Sequence, residues 1–176
     1  MAAEKLPIFV IQQHHARSMH YDFRLEVDGV LKSWAVPKGP SLNTRDRRLA
    51  LPTPDHALSH AKFEGMIPEG QEGAGPVIIW DRGTYRNIKM KEGNILPMAD
   101  CLRRGTVEVW LNGKKLKGGF ALIRIGKTAD KRWLLIKMDD KYADPLRNPT
   151  KAQPESVKSG KTVKEIAKPA KPKGKR

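Results

Sequence analysis

Cysteine is almost absent: Cys101 is the only one in 176 residues. A single thiol closes no internal disulfide and belongs to no ligand-spaced cluster, so a reducing, cytoplasmic setting is expected and Cys101 itself reads as core. Long apolar runs are missing too. Met1 to Pro7 holds nothing like a signal peptide, and no stretch approaches the roughly 20 apolar residues of a membrane span, so a soluble protein with no membrane partner is expected. Helical periodicity is scarce, confined to short patterns around Asp140 to Leu146 and Thr162 to Ala167. There is no internal repeat. The glycine-rich run from Glu64 to Gly75 carries three acids and lacks the Lys-Ser or Lys-Thr ending of a phosphate-cradling loop. Its expected role is to bring backbone close to a site before the next strand.

Acidic residues are also in short supply, with 19 against 34 Lys and Arg, a net charge of +15 and a pI near 10.1. Such a surface attracts polyanions, and nucleic acid is the leading partner class. The 39% of hydrophobic residues is enough for one buried core. Residues 1–150 are expected to form that domain. Residues 151–176 carry nine basic side chains against Glu155 and Glu165 and read as a largely disordered basic tail. Its last part, Lys168 to Arg176, has no aromatic or branched apolar residue with which to offset the entropy of ordering. A tail of this kind holds polyanions loosely and without sequence preference.

Strand signals dominate the rest. Ile8 to Gln13 is rich in β-formers. His20 to Val27 alternates, with Tyr21, Phe23, Leu25 and Val27 on one face and His20, Asp22, Arg24 and Glu26 on the other. Asp28-Gly29 then turns the chain into Val30 to Val36 as a tight hairpin. Further strands are expected at Val77 to Trp80, Thr106 to Leu111, Lys115 to Ile125 and Arg132 to Met138, with Asn112-Gly113 as a second tight turn. This pattern predicts a mainly β protein, a small antiparallel β-barrel with few short helices.

All five histidines fall within the first 60 residues. His20 and Asp22, two apart on a strand, project from one face with Arg24 next in line, and His14 ends the preceding strand close enough to converge on them. Two imidazoles and a carboxylate with coordination positions left open make a ligand set for a catalytic divalent metal. Phosphate bound to such a metal needs cations, and Arg24, Lys38 and Arg48 are the candidates, Lys38 being held in a loop between Pro37 and Gly39-Pro40. His56 follows the proline-interrupted segment Leu51-Pro52-Thr53-Pro54, where no regular element is expected. Two roles are open to it: donor to a phosphate, or acid for the leaving oxygen. His15 points away from His14 on an extended chain and reads as a bystander.

Taken together, several stretches closely resemble the 3′-phosphoesterase domain of bacterial DNA ligase D. They are Phe9-Val10-Ile11-Gln12-Gln13-His14, His20-Tyr21-Asp22-Phe23-Arg24-Leu25-Glu26, Gly29 to Pro40, Asp55-His56, and Phe63-Glu64-Gly65 with Ile67-Pro68-Glu69-Gly70. The resemblance is dense from about residue 8 to 86. It implies a small β-barrel that uses manganese, or another divalent transition metal, to remove a 3′-phosphate or trim a 3′-terminal ribonucleotide at a primer-template end. By the same resemblance His14, His20 and Asp22 are the metal ligands, Arg24, Lys38, Arg48 and His56 hold the scissile phosphate, and Gln12 supports the site. DNA 3′ ends are the implied substrate, a DNA ligase and end-joining proteins the implied partners, and a monomer near the nucleoid the implied state.

The sequence departs from the family in three places. His60 stands where the family has a site tyrosine four residues after the histidine, offering a ring N–H in place of a hydroxyl. Pro54 replaces an acidic neighbour of Asp55-His56. The chain begins a few residues before Phe9, without the N-terminal arm of the ligase-attached members, so a stand-alone version with altered ribonucleotide trimming is expected. Two other function classes fit the same residues: a non-catalytic DNA-end binding module, separable by the lack of turnover, and a zinc hydrolase of another ester, separable by metal content.

Overall fold

The strands Thr106–Gly113 and Arg132–Lys137 alternate in burial as they do in sequence, whereas Ile8–His15 and Met19–Val27 bury side chains on both faces. The computed structural model describes residues 5–126 and 132–168. The first three strands, β1 (Ile8–His15), β2 (Met19–Val27) and β3 (Val30–Val36), pair antiparallel in succession. Asp28, at φ 50°, makes the expected turn with Gly29, and this fixes the β2–β3 register so that Arg24 faces Ser33 and Asp22 faces Ala35.

After β4 (Arg48–Ala57) come a single 3-10 turn (Leu58–Lys62), β5 (Gly65–Ile67) and β6 (Gly75–Asn87). A two-residue pair, β7 (Met90–Lys91) and β8 (Asn94–Ile95), leads into α1 (Met98–Arg104). The chain ends with β9 (Thr106–Gly113), β10 (Lys117–Ile125), β11 (Arg132–Lys137), α2 (Pro149–Ala152) and α3 (Val163–Ala167). Strands run around the sheet in the order β1-β2-β3-β4-β11-β10-β9-β6, and β6 pairs again with β1. The result is the expected antiparallel barrel, closed with eight strands. Closure pairs every strand of the ring with two neighbours, leaving open the far part of β4 and a short stretch of β6.

Phe9, Ile11, Phe23, Leu25, Trp34, Trp80, Leu111, Phe120 and Leu135 fill the lumen. Burying a side chain of this size stabilises the fold by about 1.5–3 kcal/mol. Odd positions of β1 therefore point inward, and Val10, Gln12 and His14 point out. Val10, Leu31, Ala61 and Ile79 form a second, small apolar cluster that pins the 3-10 turn onto the outside of the barrel. On β1–β3 the outward side chains Val10, Gln12, Asp22, Arg24, Leu31 and Ser33 are thus buried rather than wet, and this is what makes a site there.

Four sequence expectations change. The prolines of Leu51 to Pro54 do not break the chain: β4 runs through them, because its ladder to β11 ends at Ala50 and no second neighbour needs an N–H beyond it. Asn112-Gly113 ends β9, and the turn lies at Lys114-Lys115. The buried Asp81 carboxylate accepts the Lys114, Lys115 and Leu116 N–H groups at 2.8, 3.0 and 2.8 Å, and a Cβ on Gly113 would lie 2.7 Å from Phe9 Cζ. Asp140 to Leu146 is a set of turns, in which Asp140 accepts from Gly119 N, Tyr142 N and Lys137 Nζ. Helix α1 was not foreseen.

The boundary at residue 150 also moves. From Lys151 to Lys168 the chain is packed: Trp80 Nε1 donates to Gln153 O at 2.8 Å, Val157 N to Ile79 O at 2.9 Å, and Val163 joins the main core. Thr162 and Glu165 form a capping box on α3. The charge of the whole segment hid Val157, Val163 and Ile166, which supply the burial. Residues 169–176, most of the expected Lys168 to Arg176 tail, lie outside the described residues.

Candidate active site

The hairpin registers bring Gln12 beside Asp22, His14 beside His20, and Arg24 beside Ser33 on one outer face. His56 joins them from β4, opposite Leu31. One potential ligand atom from each of His14, His20 and Asp22 lies within 4.8 Å of the others. His14 Nδ1 is 3.6 Å from Asp22 Oδ2, and His20 Nε2 is 3.3 Å from Asp22 Oδ1.

Backbone carbonyls set the tautomers. His14 Nε2 is 2.6 Å from Gly73 O and His20 Nδ1 is 3.3 Å from Ser18 O. A carbonyl only accepts, so each ring carries its proton there and turns a bare nitrogen toward Asp22. Two lone pairs then face one carboxylate with no proton between them. A divalent cation relieves this arrangement, and so the residues fit a metal. Without a cation, a proton serves: hydrogen bonding to Asp22 raises the His20 pKa against the opposing effect of burial. Burial would raise Asp22, but contacts with His14, His20 and Arg24 outweigh it and hold the carboxyl below its ordinary range.

Arg24 is buried at the centre. Its Nε donates to Gln12 Oε1 at 2.7 Å and its Nη1 to Ser33 Oγ at 2.8 Å; Nη1 is also 3.0 Å from His56 Nδ1, and Nη2 is 3.3 Å from Asp22 Oδ2. Gln12 in turn donates to the carbonyls of His60 and Phe63 at 2.8 and 3.1 Å, tying the 3-10 turn to the site. His56 Nδ1 also lies 3.0 Å from Pro54 O, and one nitrogen cannot accept from Arg24 and donate to Pro54 together. The permanently charged donor favours a bare Nδ1, and burial followed by Arg24 lowers the His56 pKa, which leaves its proton on Nε2. His60 stacks between His56 and Phe63, with ring centroids 4.5 and 5.6 Å away. Burial, then the charge of Arg24, lowers its pKa to about 4.

These groups line an open cleft of about 630 Å³ that His14, His20, Asp22, Arg24, His56 and His60 share with the loop at Glu72-Gly73. The glycine-rich run passes backbone over His14 as its composition led us to expect. Lys38 and Arg48, expected at the phosphate, do not line it. Lys38 is exposed in the loop after β3, and Arg48 Nη2 is 3.7 Å from Asp46 Oδ2 at the start of β4. The sequence reading also missed Arg17 and Thr53, which do line the cleft, and Ser33. Ser33 was within reach of it, since a two-residue turn at Asp28-Gly29 places Ser33 across from Arg24.

Residues 12–124 match the DNA Ligase D 3′-phosphoesterase domain. The chain belongs to that family. The matched span contains every one of these cleft residues, His14, His20 and Asp22 among them. The chain is 43% identical over 159 residues to a Pseudomonas aeruginosa protein called multifunctional non-homologous end joining protein LigD, covering 88% of this chain and 18% of that one. A Mycobacterium tuberculosis protein, multifunctional non-homologous end joining DNA repair protein LigD, is 52% identical over 130 residues, 74% of this chain and 16% of its own length. The relative from Mycolicibacterium smegmatis is 46% identical over 138 residues, 78% and 18%. The chain spans less than a fifth of the length of these curated relatives. No helix among the described residues is long and apolar enough to cross a membrane.

Proposed function

We propose that this protein is a metal-dependent phosphoesterase that removes 3′-phosphate from primer-template DNA ends in end-joining repair. The observation that carries this reading is the pair of imidazoles, each with one nitrogen on a backbone carbonyl and the other facing Asp22, beside a buried arginine. Membership of the 3′-phosphoesterase family and the basic surface support it. Manganese is the proposed metal, held by His14 Nδ1, His20 Nε2 and Asp22, and DNA ligase and end-joining proteins are the proposed partners.

The bound cation supplies Lewis acidity and charge neutralisation at the phosphate. Arg24 holds Asp22 and His56 in place and has one N–H left over of its five for a non-bridging oxygen. With its proton on Nε2, His56 donates to the same phosphate, which favours the donor role over the acid role. His60, neutral at physiological pH, adds a second ring at that wall. Lys38 and Arg48 lie outside the cleft, so in this mechanism Arg24 and His56 carry the phosphate contacts assigned to all four by resemblance.

Phosphate release from a 3′-phosphorylated primer with manganese tests the proposal. His56→Ala should slow it about 100- to 1,000-fold, and Asp22→Ala should slow it more. Full activity in Asp22→Ala would overturn it.

A further inference from the structure

The charge inventory of the cleft is short of free cations. Arg24 spends four of its N–H groups on Gln12, Ser33, His56 and Asp22. Against it stand Asp22, Glu72 and Asp55, and the charge nearest Asp55 is Lys32 Nζ at 2.9 Å, outside the cleft lining. Apart from Arg24, the permanent cation that lines the cleft is Arg17. It is exposed, and it makes no ion pair or hydrogen bond with the described residues.

Its backbone is well placed for a ligand contact. Arg17 lies in the three-residue connection between β1 and β2, midway between His14 and His20, and next to Ser18, whose carbonyl orients His20. The β6 end braces this connection: a Cβ on Gly75 would collide with His15 O and lie 3.6 Å from Ala16 Cα. A long, exposed guanidinium with no partner among the described residues thus lines the same cleft as the buried Asp22. A 3′-phosphate that reaches the site at Asp22 places the next phosphate of the strand one nucleotide back along the cleft.

We propose that Arg17 determines specificity by pairing with the phosphodiester on the 5′ side of the 3′-terminal nucleotide, so that the cleft prefers polynucleotide ends over small 3′-phosphomonoesters. The proposal rests on the phosphoesterase reading for the identity of the substrate. Guanidinium is suited to the role because its fork matches phosphate oxygens in pairs.

The test compares the full-length wild type with Arg17→Ala and Arg17→Lys in manganese, on a 3′-phosphorylated oligonucleotide and on thymidine 3′-monophosphate. In Arg17→Ala the ratio of kcat/KM for oligonucleotide over mononucleotide should fall roughly 10- to 100-fold, through KM, with partial recovery in Arg17→Lys. Oligonucleotide affinity, read by fluorescence anisotropy without turnover, should lose about 0.7–0.9 from the slope of log K against log salt, the share of one phosphate contact. An unchanged ratio with an unchanged slope, or equal losses on both substrates, would overturn the proposal. If the wild type turns over neither substrate, the phosphoesterase reading fails, and the salt slope alone decides whether Arg17 touches a backbone phosphate.

Discussion

Arg24→Lys keeps the charge and loses the fork. The ammonium cannot reach Gln12 Oε1, Ser33 Oγ, His56 Nδ1 and Asp22 together, so acceptors around its buried position lose their partner. We expect a loss of about 3 kcal/mol in denaturant unfolding, the scale for breaking a buried pair, with Gln12→Ala costing less. Equal stability of Arg24→Lys and the wild type would mean that Arg24 does not organise the site. At this scale much was legible. Alternation alone puts His20, Asp22 and Arg24 on one face, and hairpin register adds Ser33. The carbonyls of Gly73 and Ser18 were not legible, because a backbone acceptor leaves no mark in the residue type that carries it. Lys38 and Arg48 show the converse: a suitable charge near the site in sequence says nothing about whether its side chain lines the cleft.

Between elements, β6 has an unpaired stretch of edge between its partners β5 and β9, and the C-terminal segment covers it. Glu64 Oε1 accepts from Ile79 N at 2.8 Å and from Ser156 Oγ, while Val157 N donates to Ile79 O. Lys158 Nζ reaches Lys62 O at 3.2 Å, so the segment clamps the end of the 3-10 turn whose carbonyls hold Gln12. Removing the Glu64 carboxylate leaves the Ile79 N–H and Ser156 without their acceptor, at a cost of about 2 kcal/mol. Glu64→Ala should therefore lower unfolding stability by that amount and speed amide exchange at Ile79 and Val157; unaltered exchange would show that the clasp is not closed in solution. Period-2 patterning revealed most strands, since half-buried strands carry it on their faces. It could not reveal β4, where two prolines mask a strand that needs few N–H groups, or the packed segment after Lys151, where a few apolar residues sit among many lysines.

Across the whole molecule, His60 gives a pH dependence of known sign. Its folded pKa, about 4, lies below the roughly 6.5 of an unfolded histidine, so below pH 6.5 the unfolded chain takes up the proton first. Its contribution to stability is complete above about pH 6.5 and is lost as pH falls toward 4. His60→Phe removes that titration while keeping an aromatic ring between His56 and Phe63. The stability difference between wild type and His60→Phe, followed by denaturation from pH 7 to 4, should move in favour of the variant as pH falls. A constant difference would show that His60 titrates normally.

The barrel, the hairpin registers and the covered outer face all serve to hold His14, His20 and Asp22 around one point. Calorimetric titration with manganese tests that most directly. The wild type should bind one ion per chain through this trio, and both His20→Ala and Asp22→Ala should abolish the binding while the barrel stays folded by circular dichroism. Stoichiometric binding that survives in either variant, or none in the wild type, would contradict the account.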